Sequence, residues 1–271
     1  MRRGAHIAVL VSMLAAACAP APDGTAAKAP RIVSLNPCAD AILAEVAPDH
    51  LLAVSHYSYD PASSSMGVAQ AMRFAATSGS AEEIAKLDPD IVVAATFLPP
   101  ATERALAAMG YRVVKTGSIA SLDDALQQVR DLADLAGEQE AGERLVVQIE
   151  ASLIAARPLE QEPVSALVWQ AGGLVPGEQT LVSDLLRHTG FTNFSAGRGL
   201  GQGAVVPLED VLADPPQVIL NAGNGRMQNH PALGKLADRT TEFDTRLTWC
   251  GGPTIIAAAA RLSEIRDGLT R

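Results

Sequence analysis

Residues 138–157, EQEAGERLVVQIEASLIAAR, decide how the rest of the chain is read. The stretch opens with Glu138, Glu140 and Glu143 and closes on Arg157, with Pro158 next. Acids at the start and a cation at the end suit a helix dipole, and the proline ends the helix. Ala141, Leu145, Ile149 and Leu153 recur every four residues, with Val146 and Ile154 beside them, which makes one broad apolar stripe. At 1.5 Å per residue such a helix runs roughly 30 Å. Signals of alternating strand and helix lie on both sides of it. The reading is a strut between two α/β lobes, residues 31–137 and 158–271.

On the N-terminal side, short apolar runs at 31–35, 51–55, 91–95 and 111–115 read as buried strands, and 40–47, 82–87, 102–109 and 122–136 as helices. Beyond the strut, strands are expected at 164–169, 217–221 and 246–249, and helices at 181–188, 208–213 and 254–269. Strands alternating with helices imply mostly parallel sheets with helices on their faces, so each lobe is expected to be Rossmann-like. Residues 82–93, EEIAKLDPDIVV, are echoed by 209–220, EDVLADPPQVIL: acid pair, short apolar helix, proline turn, buried strand. One copy falls on each side of the strut, as expected of two related lobes.

The chain has 271 residues, 48% apolar and 19% charged, with net charge −9. That composition supports a real core, and without a basic patch it argues against a nucleic-acid partner. Arg2 and Arg3 precede an apolar run from Ile7 to Ala17, too short for a mature membrane span. The ending Leu14-Ala15-Ala16-Ala17-Cys18 resembles a bacterial lipobox, with its leucine one position early. On that reading 1–17 is a signal peptide, Cys18 is acylated, and 18–30, rich in Ala and Pro, is a tether to the membrane. Cys38 and Cys250 remain in an oxidising compartment: two free thiols, metal contacts together with His56, or a disulfide between the lobes.

The segments RIVSLNP (31–37), AEEIAKLDPDIVVA (81–94), VPGEQTLVSDLLRHTGFTNF (175–194) and PLEDVLADPPQVIL (207–220) resemble the periplasmic substrate-binding proteins of ABC importers for cobalamin, iron siderophores and haem. The likeness covers about residues 31–269, and the cobalamin branch is similar in length and layout. Tryptophans of that branch are missing near Ala76 and Ala95, and the glycine-rich run 197–203 replaces a more aromatic segment. A smaller or more polar chelate, or a corrinoid held mainly by hydrogen bonds, would suit those departures.

The resemblance implies two lobes on one rigid helix and a metal chelate captured between them by a monomer. It implies delivery to a dimeric ABC permease whose ATPase is a separate subunit. It also implies that Glu82 and Glu209, one per lobe, pair with permease arginines. The loops after the strands should line the cleft with Asn36, Cys38, His56, Tyr57, Tyr59, Thr96, Phe97, Gln170, Asn221, Asn224, Trp249 and Cys250, and the Ser-rich stretch adds Met72, Arg73 and Phe74. Flat chelates stack on aromatic rings and bond amides or arginines at their edges. Trp169 is expected inside its own strand's core. No cofactor is expected. No Gly-x-Ser-x-Gly elbow, His-Glu-x-x-His helix or nucleotide loop occurs, and acid pairs such as Asp123-Asp124 sit at helix starts, so no enzyme is expected. The alternatives are a ligand-sensing or scaffolding lipoprotein without a transporter, or a haem-binding import protein.

Overall fold

The computed structural model describes residues 29–159 and 162–269, so the leader and Cys18 lie outside the described residues. The first lobe runs β1 (Ile32–Ser34), α1 (Pro37–Val46), β2 (Leu51–Ser55), α2 (Val68–Ala71), β3 (Ala75–Thr77), α3 (Ala81–Leu87), β4 (Ile91–Ala95), α4 (Pro100–Ala108), β5 (Arg112–Thr116) and α5 (Leu122–Ala136). Its five strands are all parallel, in the order β3-β2-β1-β4-β5. The strut is α6 (Gln139–Ala156).

The second lobe follows with β6 (Val164–Gln170), β7 (Leu174–Val175), α7 (Leu181–His188), β8 (Phe191–Asn193), β9 (Ala204–Val205), α8 (Leu208–Ala213), β10 (Val218–Ala222), β11 (Thr240–Glu242) and α9 (Thr254–Leu269). Here the parallel sheet has the order β11-β10-β6-β8, and β7 and β9 form a small antiparallel pair.

Helix ends follow local chemistry. Asn36 caps α1 by accepting from the Cys38 amide, and Ser121 caps α5 by accepting from the Asp124 amide. Gly137, with φ at 78°, ends α5 and lets α6 begin at once. The strut buries Leu145, Val146, Ile149 and Leu153, as its stripe predicts, whereas Ile154 is exposed. Gly142 is buried in α6, and a Cβ added there would collide with the Ala133 Cβ, so only glycine permits the close crossing of α5 and α6.

Strand residues alternate between two cores, as the two-residue period requires. Ile32, Ile91 and Val93 of the first sheet and Ala166, Val168, Val218 and Leu220 of the second all join one cluster, with α1, α5, α6, α7 and α9 between them. The intervening residues face separate outer cores: Val33, Val92 and Ile84 in the first lobe, and Leu167, Trp169, Ile219 and Val211 in the second. Trp169 is fully buried, as expected, and its indole donates to the Val206 carbonyl. The lobes therefore share a continuous core in addition to the strut. The Asp184 carboxylate on α7 also accepts from the Leu122 amide that starts α5.

One expectation is corrected, and one open alternative is decided. Residues 246–249 are not a strand: Thr245–Thr248 is a tight turn, because Asp244 accepts from the Arg246 amide and pairs with its guanidinium. Cys38 and Cys250 are neither free thiols nor thiolate ligands but a disulfide, with Cα atoms 5.2 Å apart. Loop 250–253 brings them together by packing onto the first lobe, where a Cβ at Gly251 would meet Ile119 and Ala125, and one at Gly252 would meet Ile42. The bond joins the start of α1 to the loop that leads into α9.

Candidate functional site

The carboxyl ends of the strands and the loops after them form a cavity of about 490 Å³ between the lobes. The first lobe contributes Asn36 and Cys38 after β1, Thr96 and Phe97 after β4, and Thr116 to Ile119 after β5. The second contributes Gln202, Trp249 and Cys250. A smaller hollow of about 220 Å³ adjoins it, sharing Ile119, Gln202 and Trp249, and reaches Gln170 and Thr180. Phe97 is 84% exposed and Trp249 51%, in a chain that buries most of its large apolar side chains. Two aromatic rings from opposite lobes are thus presented to one cavity.

Of the residues expected at the cleft, Asn36, Cys38, Thr96, Phe97, Trp249 and Cys250 come together, with Gln170 in the adjoining hollow. Asn36 is a brace: its side chain accepts from the Cys38 amide and donates to the Thr116 hydroxyl. His56, Tyr57, Tyr59, Arg73 and Phe74 line neither space. They cluster beside edge strand β3. The Tyr59 hydroxyl donates to the Phe74 carbonyl at 2.6 Å, and both rings pack on the core. Arg73 lies over the Phe74 ring, and His56 stacks near Tyr57 with Nδ1 3.3 Å from the Thr77 carbonyl. Asn221 and Asn224 line a different recess beside Glu242 and Arg261, where the Asn221 amide donates to Glu242.

Sequence reasoning missed Ser118, in the loop after β5, and also Gln202. Gln202 arrives from the glycine-rich run, and Gly177 makes room for it: a Cβ at Gly177 would lie 2.5 Å from the Gln202 nitrogen. The only local signal was that run's irregularity. Among the described residues no cluster of three or more His, Cys, Asp and Glu side chains could hold a metal ion, and no helix is long and apolar enough to cross a membrane.

Glu82 and Glu209 occupy equivalent places. Each lies exposed in the first turn of its helix, α3 or α8, which then leads into β4 or β10. On the outer face of its own sheet, α3 buries Ile84 and α8 buries Leu208 and Val211. Glu83 is engaged: it accepts from the Thr77 hydroxyl and the Ser78 amide, and these bonds hold its carboxyl below the usual range. Glu82 and Glu209 take part in no ion pair among the described residues.

A family model described as "Periplasmic binding protein" matches residues 32–244. The chain belongs to that family. It is a family of substrate-binding proteins. No curated relative matches the chain. Solved structures share the fold. The periplasmic heme-binding protein RhuT from Roseiflexus sp. RS-1 aligns with TM-score 0.67 and 24% identity, over 89% of this chain and 98% of that one. The vitamin B12 binding protein BtuF of Vibrio cholerae gives 0.68 and 20%, over 90% and 98%. Helicobacter pylori CeuE with Ni(II) bound gives 0.66 and 17%, over 87% and 82%.

Proposed function

We propose that this chain is the substrate-binding component of an ABC importer. It captures a metal chelate of the corrinoid or ferric-siderophore type in the cleft and carries it to the membrane permease. A lipid on Cys18 holds it to the membrane on the periplasmic side. The observation that carries this reading is the pair of exposed rings, Phe97 and Trp249, facing one cavity from opposite lobes. Aromatic faces flank a flat chelate, and hydrogen-bonding side chains meet its edge.

Capture is non-covalent and needs little closure. The lobes are joined by α6, by a common core and by the disulfide, so the cleft is largely formed before ligand arrives. Glu82 and Glu209 then seat the loaded protein on the permease by charge-assisted bonds to arginines, one per lobe. ATP is hydrolysed by another subunit.

Titrating the purified protein with cobalamin, ferric siderophores and haem tests the capture step through tryptophan fluorescence. Trp169 is buried and supplies a constant background, so saturable quenching should vanish in Trp249→Phe. No quenching by any chelate would overturn the reading. Reversing both charges, Glu82→Lys with Glu209→Lys, should leave binding intact and abolish uptake into cells. Normal uptake by that variant would remove the docking role.

A further inference from the structure

The cleft is empty of charge. The chain is 19% Asp, Glu, Lys and Arg, yet among the described residues none of those types, and no histidine, lines the main cavity or the adjoining hollow. No tyrosine or methionine lines them either, and both cysteine sulfurs are bonded to each other. What remains is amide, hydroxyl and indole.

Several of these groups are already used inside the protein. Asn36 is committed to the Cys38 amide and Thr116, and the Thr116 hydroxyl donates to the Ala94 carbonyl. Thr180 donates to the Gly177 carbonyl, and the Ser63 hydroxyl donates to Asp60. The side chains of Thr96, Ser118, Gln170 and Gln202 and the Trp249 indole N–H have no hydrogen-bond partner among the described residues, and they are the groups left for a ligand.

Helix starts at the cleft do not supply the missing charge. The first turn of α1 is capped by Asn36, that of α7 by Thr180, and the Leu122 amide at the start of α5 is held by Asp184. Lys115, a cation that lines the neighbouring groove between β5 and α5, is paired with Glu103 at 2.7 Å. An ionised carboxylate or catecholate brought into this cleft would lose water and gain no countercharge, which is unfavourable. A metal with open coordination positions would find no imidazole, thiolate, phenolate or carboxylate to fill them.

We infer that the cleft selects a chelate whose metal is already fully coordinated and whose rim carries uncharged amide or other carbonyl groups, read by Gln170, Gln202, Thr96 and Ser118. This rests on the chelate-capture reading and narrows it. Carboxylate-bearing porphyrins and multiply anionic chelates are rejected because the lining offers them hydrogen bonds without charge.

A matched pair tests it. Dicyanocobinamide and dicyanocobyrinic acid share one corrin ring and a filled metal, but the first has an amide rim and the second a carboxylate rim. Binding of each is measured by Trp249 quenching and calorimetry, beside a neutral ferric trishydroxamate and an anionic ferric triscatecholate. The amide or neutral member of a pair should bind at least 100-fold tighter than its anionic counterpart. Gln170→Glu and Gln202→Glu, which keep size and add charge, should each weaken the neutral member tenfold or more. Equal or tighter binding of the anionic members, or of haem alone, would overturn the inference and leave capture standing. Silence from every chelate would instead remove the capture reading, and this inference with it.

Discussion

Replacing Cys38 and Cys250 together by alanine, or reducing them, removes the covalent tie between the start of α1 and the loop that carries Trp249. The bonded residues are 212 apart in sequence. Closing a loop of that length restricts the unfolded chain, and the chain-entropy relation gives about 5 kcal/mol of stabilisation for it. The folded state should survive the loss, because the helices around the strut hold both lobes in one core. Urea unfolding followed by fluorescence of the buried Trp169, with and without reductant, measures the difference. With a slope of about 3 kcal/mol per molar, the midpoint should fall by roughly 1.5–2 M. The double variant should match the reduced protein and ignore reductant. Mass mapping of the oxidised protein should find the Cys38 and Cys250 peptides linked. Coincident curves, within about 0.5 kcal/mol in both redox states, or unlinked peptides, would refute the reasoning.

Three further outcomes are expected. Phe97→Ala and Trp249→Ala should each weaken chelate binding by about 1–3 kcal/mol in calorimetry, while thermal unfolding stays near that of the parent, since both rings are exposed; unchanged affinity in both would place the ligand elsewhere. Burial pushes the Asp40 carboxyl up from 3.8 to about 7, despite hydrogen bonds from the Ser58 hydroxyl and the Ser55 amide. The folded state therefore holds this proton more tightly than the unfolded chain, so Asp40's contribution is complete below about pH 4 and lost as pH rises through about 7. Asp40→Asn should flatten the fall in stability between pH 5 and 8 seen in chemical denaturation, and an unaltered profile would count against it. Arg266 is buried and donates to the carbonyls of Ala156 and Thr189, at the ends of α6 and α7. Arg266→Met should cost about 3 kcal/mol by leaving both acceptors unpaired, seen as a lower melting temperature, and a loss under about 1 kcal/mol would contradict that role.

A rigid two-lobed frame changes what ligand capture has to accomplish. Since the inner faces of both sheets rest on the same helices, opening the lobes would expose the common core. On the proposed function, ligand entry would then fall to surface side chains, and to Phe97 and Trp249 above all.

Much of the fold was legible from residues close together in the chain. Helices α5, α7, α8 and α9 fall where their caps, stop signals and apolar periods lie, because each signal acts over a few residues. The echo of 82–93 in 209–220 was readable for the same reason, and it marks equivalent helix–strand units in the two sheets. Asn36, Thr96 and Phe97 could be placed at the cavity because strand ends in an open parallel sheet converge on one crevice, whereas Trp249 reaches it from a turn and not from the strand expected there. The tertiary structure alone decided the rest. Cys38 meets Cys250 through the docking of loop 250–253, and Gln202 enters the cleft through close packing on Gly177. His56, Tyr57 and Tyr59 also follow a strand, yet β2 lies next to edge strand β3, so the first turn of its loop packs toward that edge, and only Ala62 and Ser63 further along reach the cavity. Contacts between distant segments depend on how whole elements pack, and no window of neighbouring residues carries that information.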